Sequence, residues 1–104
     1  MDQKINKVIR QFILSVSDQT KGFVTAFLFG SFAKGNQRYD SDIDIALIIE
    51  NLNDSDKFDL QVQLLLLASK FDSRIEPHPI SLHDLMSDNP FVYEIKKSGI
   101  EIKI

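Results

Sequence analysis

Apolar residues recur every three or four positions near the start of the chain: Ile5, Val8, Ile9, Phe12, Ile13 and Val16. That period puts them on one side of a helix, and the spacing predicts one over residues 2–17. Lys21-Gly22 ends it. From Phe23 to Phe29 the chain is almost uninterruptedly apolar, the pattern of a strand covered on both faces. Gly30 to Gly35 reads as a tight turn entering a short helix, and Asn36 to Ser41 as a polar loop. A second strand is expected from Asp42 to Ile49, with Ile43, Ile45, Leu47 and Ile49 on one face.

Asn51 to Asp56 offers several N-caps for a helix over about 57–71. This helix is apolar on two sides. Leu60, Leu64, Leu67 and Phe71 form one stripe, and Phe58, Val62 and Leu65 lie roughly opposite. Either the domain's other helices cover the second stripe, or it is a docking surface for another chain. Ser73 to Ile80 reads as a third strand; Pro77 and Pro79 lack the N–H of a ladder, so its later half is an edge or has left the sheet. Short helices over Ser81–Met86 and Pro90–Lys97 follow, with Gly99 just past the second. Ile100, Ile102 and Ile104 alternate with polar residues, which predicts a half-buried last strand.

The fold class expected is α/β: a small mixed sheet of about four strands flanked by helices. The connection between the first two strands is too short for a full crossover helix unit, so a mixed sheet follows more naturally than an all-parallel one. At 104 residues the chain reads as a single domain, 1–104. A hydrophobic share of 43% and a charged share of 26% are ordinary for a soluble domain. A net charge of −3 argues against a duplex DNA-binding surface. The absence of cysteine excludes disulfides and thiolate metal sites and fits a cytoplasmic setting. No apolar stretch approaches the length of a membrane span.

Against that background, Asp42 and Asp44 stand out. They sit at the start of an apolar strand, two positions apart, and therefore project from the same face. Two carboxylates side by side repel unless a cation or proton lies between them. Mg²⁺ suits them, because it favours hard oxygen ligands and is commonly held by one or two carboxylates plus substrate phosphates.

Gly30-Ser31, ten residues, then Asp42-Ile43-Asp44, all behind an apolar strand and with Ala33, Gly35 and Ser41 in place, resembles the nucleotidyltransferase superfamily typified by DNA polymerase β. The resemblance is closest to its minimal, MNT-type members. It is strong over about 23–80 and extends along the chain in element order. Each part has a physical rationale. Gly30 lets main chain approach a phosphate, Ser31 opens a helix whose N–H groups favour anions, and Gly35 permits the exit from the turn. Lys34 is either a triphosphate contact or a solvated loop cation, with Arg38 a weaker candidate beside it. Ser41 caps locally or bonds beside Asp42.

The resemblance implies nucleotide binding by Gly30, Ser31 and Lys34, with two Mg²⁺ ions on Asp42 and Asp44. It further implies a third carboxylate on a neighbouring strand. Glu76, 32 positions after Asp44, is the candidate ligand or general base, with Asp72 its rival. The segment Glu76-Pro77-His78-Pro79 departs from the family's usual carboxylate followed by apolar residues. His78 and His83 are read as ordinary surface or turn residues, although His78 is close enough in sequence to approach the metal centre. Tyr39 and Tyr93 are read as packing residues, and Phe27 and Phe29 as core.

Two functions follow from the resemblance. In the first, the protein is an antitoxin enzyme that transfers AMP from ATP to a tyrosine hydroxyl of a HEPN ribonuclease toxin. In the second, it neutralises the HEPN protein by binding alone, through the second stripe of the 57–71 helix and the Phe91–Ile95 region. Transfer to a small molecule or an RNA end is a weaker third. Self-association into a homo-oligomer is left open.

Overall fold

A computed structural model describes residues 3–35, 38 and 41–104. Helix α1 (Gln3–Gln19) is followed by β1 (Phe23–Phe29), the single turn α2 (Ser31–Lys34) and β2 (Ile43–Ile49). Helix α3 (Asp54–Ala68) leads to β3 (Ile75–Ser81); the short α4 (Leu82–Leu85), α5 (Pro90–Ser98) and β4 (Ile100–Ile102) complete the chain. The sheet has the order β3-β2-β1-β4. Strands β1 and β2 are antiparallel, as are β1 and β4, whereas β2 and β3 are parallel. The expected mixed four-stranded sheet is thus what forms.

The period-2 pattern of β2 decides how the layers assemble. Ile43, Ile45, Leu47 and Ile49 face α1 and α3 and join Ile9, Phe12, Ile13 and Val16 of the predicted stripe in one core cluster. Ala46 and Ile48 face the other way and pack with Ile80, Val92 and Ile95 in a smaller cluster. In β1, Ala26 and Leu28 join the first cluster while Phe27 and Phe29 pack against the second. A register shift between Phe23 and Thr25 returns Phe23 to the first cluster, opposite Ile49. An extra residue in one strand reverses which face the next side chain takes.

Several local expectations were refined. Strand β3 pairs with β2 along its whole length and is an edge strand, so the missing N–H groups of Pro77 and Pro79 cost it nothing on the unpaired side. Gly99 does follow α5, but in extended backbone; a Cβ there would collide with the Ile95 carbonyl, so space rather than a left-handed turn selects glycine. In β4, Ile102 is buried while Ile100 and Ile104 are exposed. The second apolar side of α3 is not covered by the described residues: Phe58 is 73% exposed and Leu66 64%, with Val62 and Leu65 also exposed. Tyr93 is exposed rather than packed, with the Lys97 ammonium 5.9 Å from its ring centroid. The reading of Tyr39, most of the 36–41 loop and the first residue of the predicted N-terminal helix lie outside the described residues. Among the described residues, no helix is long and apolar enough to cross a membrane.

Candidate active site

The parallel register of β2 and β3 builds the site. Asp44 lies directly beside Glu76, and Ala46 beside His78, so the three polar side chains share the face opposite the larger core. One donor atom each from Asp44, Glu76 and His78 lies within 4.8 Å of the others. The His78 Nε2 is 3.1 Å from Asp44 Oδ1. Asp42, exposed and immediately before β2, reaches Glu76 from the other direction. Both aspartates act on Glu76, Asp44 from within the donor cluster and Asp42 from outside it.

The electrostatics follow from that crowding. Partial burial raises the Glu76 carboxyl above its ordinary range; the His78 ring opposes the shift, and the charges of Asp44 and Asp42 add to it. Asp44 and Glu76 bring hard oxygens into one donor cluster, with Asp42 next to Glu76 but outside that cluster, and a divalent cation would relieve their repulsion. The residues present therefore fit Mg²⁺.

Gly30 completes the geometry. Its backbone, at φ 75° and ψ −151°, occupies a region that is essentially glycine-only. A Cβ built on it would stand 2.5 Å from Asp44 Oδ2, so the absence of a side chain is also what leaves the Asp44 carboxylate room. The sequence pointed to Gly30 for phosphate approach; the structure adds this second reason. Ser31, half-buried, is the first residue of α2, and Lys34 is exposed at its last position.

The remaining candidates separate cleanly. Asp72 is held by the Arg74 guanidinium in two contacts of 2.8 and 3.0 Å and lies outside the donor cluster. Arg74 also stands 6.0 Å over the Phe32 ring. Ser41 accepts a hydrogen bond from the Arg38 backbone N–H at 2.7 Å, a structural role. His83 is exposed on α4. His78 is the residue that sequence reasoning undervalued. Far from being an ordinary surface group, it contacts Asp44 and sits edge-on to Phe29, with ring centroids 5.1 Å apart, and near Phe91 at 6.2 Å. The available signal was its position two residues after Glu76 in a strand, which fixes a shared face.

Residues 11–104 match the family model described as Polymerase beta, Nucleotidyltransferase. Comparison with curated protein sequences gives no match. Among solved structures, a putative nucleotidyltransferase from Sulfolobus solfataricus aligns with TM-score 0.64 and 18% identity, covering 94% of this chain and 80% of that one. A toxin–antitoxin structure with AMP-PNP aligns at TM-score 0.57 and 26% identity, covering 95% and 69%. A structure of tri-AMPylated Shewanella oneidensis HEPN toxin in complex with MNT antitoxin aligns at TM-score 0.59 and 21% identity, covering 92% and 69%.

Proposed function

The chain belongs to the polymerase β nucleotidyltransferase family, and from that premise we propose that it transfers AMP from ATP to a tyrosine hydroxyl of a HEPN toxin, as the antitoxin of the pair. The observation that carries this reading is the cluster of Asp44 and Glu76 at one strand mouth, with Asp42 beside Glu76 and the bare Cα of Gly30 against Asp44. The toxin–antitoxin structures above support the choice of partner and of an adenine nucleotide donor.

In this mechanism Asp42, Asp44 and Glu76 hold Mg²⁺, which when bound neutralises triphosphate charge and lowers the pKa of an attacking hydroxyl. The Gly30 main chain admits the phosphates, the Ser31 hydroxyl donates to a phosphate oxygen, and Lys34 screens the triphosphate. The acceptor oxygen forms a bond to the α-phosphorus as the bond from that phosphorus to the pyrophosphate oxygen breaks. Pyrophosphate leaves with the electron pair, and the acceptor's proton passes to the Glu76 carboxylate as general base. Catalysis of this kind rests on positioning and charge stabilisation rather than covalent participation by the protein.

A second reading, neutralisation by binding alone, is favoured by the exposed Phe58 and Leu66 on α3. One experiment separates the two. The purified chain is incubated with its HEPN partner, Mg²⁺ and ATP labelled at the α-phosphate. Label on the partner is expected from the wild type, and none from the Asp42→Asn, Asp44→Asn double variant, while both form the complex. A tight complex without label from the wild type would leave only the binding reading.

A further inference from the structure

The metal site carries a nitrogen that an all-carboxylate Mg²⁺ site has no use for. The donor atoms of Asp44, Glu76 and His78 lie within 4.8 Å of one another, about the span of opposite ligands on one cation at metal–donor distances of about 2.0–2.3 Å. The imidazole is not there by accident of a flexible surface. His78 is fixed in a strand that pairs along its length with β2, and its ring is steadied edge-on by Phe29, with Phe91 close by. Packing of this kind presents a ligand without the ordering cost of a free side chain. In a strand only alternate residues can share a metal with Glu76, and His78 is the alternate residue.

The carboxylates by themselves suit Mg²⁺, whereas the imidazole adds a ligand that first-row transition ions accept readily. We propose that His78 is a third ligand, with Asp44 and Glu76, when this site takes a divalent transition ion, so that a site able to accept Mg²⁺ through its carboxylates holds Mn²⁺ or Co²⁺ more tightly through the added nitrogen. This deepens the reading of the same site as a nucleotidyltransferase centre and rests on it for its purpose, but not for its test. The His78 contact to Asp44 Oδ1 at 3.1 Å then represents the site before loading, a contact that the ion replaces.

The gain in affinity from a nitrogen ligand should rise from Mg²⁺ through Mn²⁺ to Co²⁺, following the general order of these ions. The test is direct binding to the full chain, without nucleotide or partner. Mg²⁺, Mn²⁺ and Co²⁺ are titrated by calorimetry into the wild type, His78→Phe and His78→Gln. His78→Phe keeps a ring between Phe29 and Phe91, and thermal unfolding checks that both variants fold. The ratio of Co²⁺ to Mg²⁺ affinity is expected to fall about 10-fold or more in both variants, the scale on which groups supporting a metal act. Pulsed electron spin resonance of the Mn²⁺-loaded protein should show coupling to a directly bound ¹⁴N nucleus in the wild type and none in His78→Phe. Equal losses for all three ions would make His78 a positioning residue for Asp44 and overturn the proposal, as would unchanged affinities or an absent nitrogen coupling. Failure to label a HEPN partner, with these metal results intact, would instead count against the transfer reading alone.

Discussion

On the side of the sheet covered by α1 and α3, β2 presents Ile43, Ile45, Leu47 and Ile49, all essentially buried and all apolar. On the other side the same strand presents Asp42 and Asp44 before it reaches Ala46 and Ile48, and α5 covers only that later half. The two faces therefore serve different ends. The first removes apolar area from water without interruption, which is where stability accumulates. The second is closed at one end by a small cluster and left open at the other, where burying three carboxyl groups would cost too much without a partner. The site exists because the second layer of helices stops short.

The sharpest way to break this comparison uses adjacent residues. Ile45→Ala is expected to cost about 2–5 kcal/mol in urea unfolding, because it opens a cavity in the larger cluster. Asp44→Asn, one position earlier, should leave stability within about 1 kcal/mol and reduce adenylate transfer by about 10³-fold. If Asp44→Asn unfolds the protein as Ile45→Ala does, the division of the faces fails.

Gly30→Ala tests the seam between the two. The added methyl meets both a backbone conformation that disfavours it and the Asp44 carboxylate. We expect a loss of about 1–3 kcal/mol in stability and about 100-fold in transfer rate, because displacing Asp44 spoils alignment. A variant as stable and active as the wild type would show that Gly30 holds neither the turn nor the carboxylate.

The smallest expected effect sharpens the contrast among the acids. The Arg74 side-chain hydrogen bond holds the Asp72 carboxyl below its ordinary range, against a modest opposing effect of burial. A carboxyl with a lowered folded-state pKa binds fewer protons folded than unfolded, so its contribution is present above the ordinary aspartate range and lost as pH falls through the folded value. Asp72→Asn should therefore cost about 0.5–1 kcal/mol near neutral pH and nothing in strong acid, as read by urea unfolding at the two pH values. An equal difference at both would mean that Asp72 acts through packing.

Much of this was legible in the chain itself. A run of residues at helical spacing defined α1, alternation defined β2 and which of its faces is apolar, and two acids two positions apart marked a candidate cation site. These are local consequences of helix and strand periods, so no folded neighbour is needed to read them. What the tertiary structure alone decided was pairing. The parallel register of β2 against β3 set Glu76 beside Asp44 and left Asp72 to Arg74. It also carried His78 up to Asp44 and left the outer side of α3 uncovered among the described residues. Contacts between residues more than 30 positions apart depend on how strands choose their neighbours, and that choice is made by the whole core at once.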